Sequence, residues 1–150
     1  MIVVGIGASA GGLEALLPFV SHLSPDTGMS FIVVQHGEAN QPSLLADLLR
    51  KETTLPVNQA ENGAVFQANT IYVAPHDVDI AIDRYRFKFS RPFSCQVPNV
   101  SIDYFFESLA ESCQDKAIAI VFSGAGSDGA LYVLPNWSMN CKRLVRLCEP

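Results

Sequence analysis

The first seventeen residues constrain the fold of this chain more than any other stretch. An apolar run, Ile2–Val4, leads into a glycine-rich segment, Gly5–Gly12, and apolar residues then continue at helical spacing to Leu17. This order predicts a buried strand, a tight glycine turn and a helix. Glycine suits positions where the backbone turns sharply or comes very close to another group. Ser9 would then stand at the carboxyl end of a strand, beside the free N–H groups of a helix N-terminus.

Two motifs with different chemistry overlap in this segment. Residues Gly7–Gly11 match G-x-S-x-G, the strand-turn-helix elbow that presents a nucleophilic serine in many hydrolases. Residues Gly5–Ala10 match the G-x-G-x-x-G/A form of the dinucleotide-binding fingerprint. The second motif requires an acidic residue where the next strand ends, and this strand ends in Gln35-His36. The fingerprint is therefore the weaker of the two interpretations.

Composition excludes several classes of protein. The 150 residues are 49% hydrophobic and 17% charged, which is typical of one globular domain. The net charge of −5 disfavours a nucleic-acid partner. The amino terminus lacks the basic region of a signal peptide, and no apolar run reaches the ~18 residues of a membrane-spanning helix. The four cysteines show no metal-type spacing, and we expect reduced thiols: Cys95, Cys113, Cys141 and Cys148.

Apolar runs and helical patterns alternate along the chain, which predicts a parallel sheet covered on both faces. Apolar runs predict further strands at Phe31–Val34, Leu55–Val57, Ile71–Ala74 and Ala117–Phe122. Amphipathic patterns predict one helix over Leu13 to about Leu23 and another over Ser101–Gln114. Between them, a further helix is predicted to begin at Asn40 or at Gln41-Pro42, and the residues along its apolar face are Leu44, Leu45, Leu48 and Leu49. Turn residues at Ser24–Gly28 end the first helix, alternation around Asp83-Arg84 predicts an exposed hairpin over Ile80–Phe89, and Arg91–Asn99 is an irregular loop.

Three polar residues follow three of these predicted strands. Ser9 follows the first strand, His36 the second, and Asp128 lies in a second glycine-rich turn, Ser123–Gly129, after the strand that ends at Phe122. Carboxyl ends of neighbouring parallel strands meet at one edge, where α/β proteins bind ligands. A serine nucleophile needs a base within hydrogen-bond reach and a third group to orient that base. The sequence thus predicts a Ser9–His36–Asp128 catalytic triad.

The two other histidines have simpler interpretations. His22 lies in the last turn of the first predicted helix, where it favours the helix dipole. His76 follows the turn at Pro75 and is a candidate to line the cleft.

Five segments, in order, resemble the catalytic domain of bacterial chemotaxis protein-glutamate methylesterases (CheB type), most closely versions fused to a chemotaxis methyltransferase. These segments are Ile2–Gly12, Val33–His36, Tyr72–Pro75, Ser101–Phe106 and Ser123–Gly129. The resemblance implies a doubly wound, mostly parallel α/β domain with three Rossmann-like layers. It also implies hydrolysis of glutamyl methyl esters on the cytoplasmic helices of chemoreceptors, with related glutamine deamidation, in the cytoplasm.

The resemblance implies a role for each matching site residue. Ser9 would be the nucleophile, His36 the base and Asp128 its orienter, without a metal or organic cofactor. Backbone N–H groups of the two turns, at Ala10, Gly11, Ala125 and Gly126, would hold the oxyanion. Expected partners are chemoreceptor helices and a chemotaxis methyltransferase domain, without nucleic acid or membrane insertion.

The chain departs from the family after about residue 130. We expect residues 1–130 to form the catalytic domain and residues 131–150 to form a divergent tail of the same domain, without a further glycine-terminated strand. A chain altered or truncated there is expected to be dimeric or marginally stable, and we expect no control by a receiver domain ahead of the elbow within this chain. A catalytically impaired receptor-binding module, and less favoured a dinucleotide-binding domain, stay open as alternatives.

Overall fold

A computed structural model describes residues 1–8, 12–35, 44–90 and 101–122, together with the backbone of 143–147. These residues form strands and helices, with four successive strands between the second and third helices and a short 3₁₀ turn at Gln114–Lys116. In chain order they are β1 (Ile2–Ala8), α1 (Gly12–Ser21), β2 (Met29–Gln35), α2 (Leu45–Glu52), β3 (Val57–Gln59), β4 (Thr70–Val73), β5 (Asp79–Asp83), β6 (Arg86–Ser90), α3 (Ser101–Cys113), β7 (Ala117–Phe122) and β8 (Arg143–Leu147).

The main sheet has the strand order β3-β4-β2-β1-β7-β8, and all its neighbouring strands pair in parallel. The chain runs from β1 to β2, then to β3 at the edge and back to β4 between β2 and β3, and afterwards crosses to β7 and β8 on the other side of β1. This reversal of direction defines a doubly wound sheet. The predicted fold class is therefore confirmed.

The two faces of the sheet are covered by different elements. Alternate side chains of a strand point to opposite faces, and β1 divides them in this way. Val4 and Ile6 belong to the core with α1 and α2, which supply Leu16, Val20, Leu45 and Leu49. Val3 belongs to the core on the other face, where α3 and the β5–β6 hairpin supply Ile80, Ile82, Phe87, Ile102, Phe105, Phe106 and Leu109. The result is three layers, helix on sheet on helix.

Gly5 and Gly7 are strand residues of β1 and not turn residues, so the predicted boundary of the first strand was wrong. A Cβ on Gly5 would lie 2.6 Å from Cδ2 of Leu109 and 2.8 Å from Cε1 of Phe105. A Cβ on Gly7 would lie 2.6 Å from Cγ2 of Ile102. Both glycines thus let α3 pack directly against the β1 backbone. The close approach that glycine permits decides these positions, rather than its turning freedom.

The predicted hairpin is present as β5 and β6, but only one of its faces is exposed. Its turn residues Arg84 and Tyr85 have φ values of 48° and 64°, as a two-residue type I′ turn requires. The inward side chains are buried: Ile80 and Ile82 of β5 belong to the core with α3, and the Phe87 ring packs against those of Phe66 and Tyr72. The expectation of an exposed hairpin was wrong because its alternation buries one face under a helix.

Two serines of α3 hold the outer edge of this hairpin. The backbone N–H of Ile82 donates to Ser108 Oγ at 2.9 Å, and that of Arg84 donates to Ser112 Oγ at 2.9 Å. A strand edge normally presents such N–H groups to solvent or to another chain. Here α3 satisfies them, and the hairpin and the helix are bonded together.

One further expectation needs correction. Leu44 is 66% exposed and precedes α2, which buries Leu45 and Leu49 instead, so it is not part of the buried helix face. The tail adds the strand β8, which pairs in parallel with β7 and is followed by Cys148 rather than by a glycine. Its apolar and β-branched residues suit a strand, and the outer edge of β7 offers it backbone partners. The start of the second predicted helix and the 91–99 loop lie outside the described residues, and the dimeric or marginally stable state stays a prediction.

Candidate active site at the carboxyl edge of the sheet

Three neighbouring strands end at the same level. Ala8, the last residue of β1, is paired with Gln35, the last residue of β2, and with Phe122, the last residue of β7. Adjacent strands lie about 4.8 Å apart. The chain therefore leaves the sheet at three points in a row, with β1 in the centre. The predicted end of β7 at Phe122 is confirmed, β2 ends one residue beyond the predicted Val34, and β1 extends to Ala8, four residues beyond the predicted apolar run.

The point at which the sheet changes direction lies between β1 and β7. The chain leaves β1 toward β2 on one side, whereas β7 leads to β8 on the other. Connections that diverge in this way open a crevice at the carboxyl edge, and ligands of doubly wound proteins bind there.

Gly12 fixes how closely α1 approaches this edge. It is the first residue of α1, and a Cβ at this position would lie 3.1 Å from the Phe122 carbonyl oxygen and 3.3 Å from Ala8 Cβ. Farther along α1, the ring of Phe19 packs edge-on against that of Phe122, with ring centroids 5.5 Å apart. The N-terminus of α1, the end at which a helix carries partial positive charge, is thereby set against the ends of β1 and β7.

The predicted site residues themselves lie outside the described residues. Ser9, Ala10 and Gly11 separate β1 from α1, and His36 directly follows β2. Ala125, Gly126 and Asp128 belong to the segment after β7. The structure brings together the three strand ends that precede them. The roles assigned to these seven residues stay predictions.

The glycines of the dinucleotide fingerprint are used differently here. That fingerprint places its first glycine in a tight turn under a pyrophosphate. Gly5 and Gly7 instead lie inside β1 and face α3. Because these two glycines pack against α3, they are not placed to contact a pyrophosphate. Within the described ranges, no three His, Cys, Asp or Glu side chains form a group able to hold a metal ion, and Cys113 is a buried thiol of α3.

The two histidines in the described part of the chain differ in their surroundings. Nδ1 of His22 lies 2.7 Å from the carbonyl oxygen of Pro18, at the end of α1, so this ring stabilises a helix C-terminus as expected. His76 is half-buried in the turn after β4, and within the described ranges its buried Nδ1 has no hydrogen-bond partner. His76 therefore lies at the same edge of the sheet as the three strand ends, and His22 does not.

Sequence reasoning missed how α1 and α3 are seated around β1. The signal was present, since Gly5 and Gly7 are two residues apart and so face the same side of a strand. Gly12 follows at the start of the helix. Small residues at these positions indicate close packing of a helix on each side of the strand that precedes Ser9.

The fold and this edge define a doubly wound α/β domain whose sheet changes direction between β1 and β7. A family model for the CheB methylesterase matches residues 4–134. The chain belongs to this family. In the part of the chain that the structure describes, no helix is long and apolar enough to cross a bilayer.

Relatives and a solved structure agree with this assignment. A putative protein-glutamate methylesterase/protein-glutamine glutaminase of Leptospira interrogans is 32% identical over 126 residues, covering 83% of this chain and 65% of that protein. A relative with the same two-part name from Geobacillus kaustophilus is 35% identical, over 85% of this chain and 38% of that protein. Another from Caulobacter vibrioides is 33% identical, over 95% of this chain and 42% of that protein. The catalytic domain of the Thermotoga maritima CheB methylesterase has the same fold, with a TM-score of 0.78 at 24% identity over 95% of this chain and 77% of that one.

Proposed function

We propose that this chain is a serine hydrolase that removes methyl esters from glutamate side chains of chemoreceptors, with related glutamine deamidation. Its relatives carry the name protein-glutamate methylesterase/protein-glutamine glutaminase, and the chain spans 38% to 65% of the three compared above. The observation that carries the proposal is the common level at which β1, β2 and β7 end. Ser9 and His36 are each the next residue after such an end, and the Asp128 turn follows the third.

The first chemical step is acylation of Ser9. His36 accepts the hydroxyl proton while Ser9 Oγ attacks the carbonyl carbon of the glutamyl ester, and a tetrahedral oxyanion forms. The C–O bond to the methoxy group then breaks, and His36 returns its proton so that methanol leaves. Asp128 orients the imidazole and stabilises its protonated form. The glutamyl group is left bound to Ser9 as an ester.

The second step is hydrolysis of this acyl-serine. His36 accepts a proton from water, hydroxide adds to the same carbonyl carbon, and Ser9 leaves with the proton from His36. Backbone N–H groups at Ala10, Gly11, Ala125 and Gly126 are proposed to hold the oxyanion in both steps. Such a donor lowers the barrier by about 3–4 kcal/mol in a well-studied protease. Neither step requires a metal or an organic cofactor.

The proposed substrate sets the location and the partners. Chemoreceptor signalling helices lie in the cytoplasm, and we place the protein there, with a chemotaxis methyltransferase domain as a second partner. The negative net charge of the chain gives no reason for binding to nucleic acid. The crevice between β1 and β7 is proposed to receive the ester-bearing side chain.

Methanol release from receptor-containing membranes tests the proposal. Methylated receptor is incubated with the wild-type chain, with Ser9→Ala and with Ser21→Ala as a matched control. Ser21 is an exposed serine at the end of α1 whose hydroxyl donates to the Pro18 carbonyl. We expect Ser9→Ala to lose on the order of 10⁴-fold or more of the activity, and Ser21→Ala to keep the wild-type rate.

Labelling with a fluorophosphonate separates the enzyme from the alternative binding module. An activated serine reacts with this probe, and mass spectrometry should locate the adduct on Ser9. Capture of receptor without methanol release or labelling would favour the binding module. Demethylation by Ser9→Ala at the wild-type rate would refute the proposed nucleophile.

A further inference from the structure

We propose that His76 determines specificity for the receptor substrate by donating a hydrogen bond from Nε2 to an acceptor on the receptor helix, away from the ester under attack. The inference rests on the proposed methylesterase function and adds a substrate contact to it. It starts from an imidazole at the carboxyl edge of the sheet that the proposed catalytic steps do not use.

The position of His76 is fixed by the pairing of β4 with β2. Their register runs from Ser30↔Thr70 to Val33↔Val73, and the N–H of Ala74 still donates to the Val33 carbonyl at 2.9 Å. Pro75 and His76 follow directly. The last residue pair of these neighbouring strands is Val33↔Val73, and His36 and His76 each follow it by three residues. His76 lies at the rim of the proposed active site rather than at its centre.

The surroundings of the ring determine which nitrogen can reach a substrate. Nδ1 is buried and has no hydrogen-bond partner among the residues that the structure describes, while the residue as a whole is half-buried. A neutral imidazole carries one N–H and one acceptor nitrogen. Buried N–H groups without an acceptor are rare in proteins, so we place the proton on Nε2. The ring then offers a donor on its other side.

The sheet spacing sets the distance between this donor and the reacting ester. β4 is separated from β1 by β2 alone, and two strand spacings amount to about 10 Å. In an α-helix, about 10 Å corresponds to nearly two turns. A helix laid across the carboxyl edge could place its ester at β1 and a carboxylate or carbonyl oxygen, nearly two turns away, at His76. A small ester lacks this second group.

The test compares a large and a small substrate. Methylated receptor in membranes and the methyl ester of N-acetylglutamate amide are hydrolysed by the wild type and by His76→Ala, His76→Gln and His76→Asn. Gln can place an amide N–H near the position of Nε2, whereas the shorter Asn cannot. His22→Ala is the matched control, because His22 lies at the end of α1 and bonds only to its own helix region.

We expect His76→Ala to raise KM for the receptor roughly 5- to 20-fold more than KM for the small ester, as loss of one hydrogen bond predicts. His76→Gln should recover the receptor KM to within about 3-fold, and His76→Asn should not. Equal losses on both substrates, or an unchanged receptor KM in His76→Ala, would overturn the inference. Urea unfolding checks that each variant is folded, and the Gln and Asn variants carry the test where Ala unfolds the chain.

A binding measurement separates failure of this inference from failure of the proposed function. Receptor membranes are sedimented with Ser9→Ala and with Ser9→Ala/His76→Ala. A wild-type chain that hydrolyses neither ester would refute the methylesterase function. If the double variant then binds the receptor as tightly as Ser9→Ala, the role of His76 is refuted as well. Weaker binding by the double variant supports that role independently of catalysis.

Discussion

Replacing Gly7 with alanine should destabilise the domain by pushing α3 away from β1. The added Cβ would lie 2.6 Å from Ile102 Cγ2 and 3.3 Å from Phe106 Cζ. Carbon atoms in good contact are about 3.5–4.0 Å apart, so the Ile102 contact is short by roughly 1 Å. Ile102 and Phe106 are buried to 2% and 1% exposure, so neither side chain has free space to move into.

The expected magnitude is the difference between two effects. Overpacking in a filled core costs about 1–3 kcal/mol. Alanine also restricts the unfolded chain, which returns about 0.4–1 kcal/mol. The net loss in the free energy of unfolding should therefore be about 1–2 kcal/mol for Gly7→Ala. At roughly 2–4 °C per kcal/mol for a chain of this size, the melting temperature should fall by about 2–8 °C.

Urea unfolding of a double-mutant cycle tests the stated cause. Ile102→Leu moves the methyl branch away from the short contact at nearly constant volume, which should cost less than about 1.5 kcal/mol on its own. In the double variant, the cost of Gly7→Ala should shrink by about 1 kcal/mol. A Gly7→Ala protein as stable as the wild type, or costs that add to within about 0.5 kcal/mol, would refute the reasoning.

Three further predictions use other contacts. Gly28 has a φ of +68°, and a Cβ at this position would have no atom within 4 Å. Gly28→Ala should therefore lower the free energy of unfolding in urea by about 1 kcal/mol and Gly28→Asn by less, because Asn tolerates positive φ better. Equal losses would contradict the backbone cause. Ser108→Ala leaves the Ile82 N–H without its acceptor and should cost about 1 kcal/mol, more than Ser112→Ala at the exposed hairpin end; the reverse order would contradict this. Gly12→Ala should change stability by less than about 1 kcal/mol but slow ester hydrolysis about 10-fold, and an unchanged rate would contradict the seating of α1 described above.

The sequence predicted the strands that end at the site because those strands are buried on both faces. Phe31–Val34 and Ala117–Phe122 are uninterrupted apolar runs, and the structure extends the first by a few residues and reproduces the second. Burial on two faces leaves no room for polar residues, so the pattern has a single interpretation. For the same reason, it could be predicted from the sequence that Ser9, His36 and Asp128 each follow a strand.

Other features depend on contacts between distant parts of the chain. A glycine that permits a helix to approach and a glycine that permits a turn are the same residue in a sequence, and only α3 distinguishes them at Gly5 and Gly7. Whether the apolar face of the hairpin is exposed could not be read from the local pattern either, because Ile80 and Ile82 are buried by a helix about twenty residues later in the chain. The strand β8 has little local signal and depends on the free edge of β7.

The two hydrogen bonds between α3 and the hairpin are possible because the serine hydroxyls and the backbone N–H groups have nearly the same spacing. Ser108 and Ser112 are four residues apart, about 6 Å along a helix, while Ile82 and Arg84 are two residues apart, about 6.8 Å along a strand. An inserted residue in β5 ahead of Ile82 would shift both N–H groups relative to the two hydroxyls and break both bonds together. Extra residues at the Arg84-Tyr85 tip would leave this match intact. The tip is therefore the place where the domain can accept a foreign loop without disturbing the layer that supports its reacting edge.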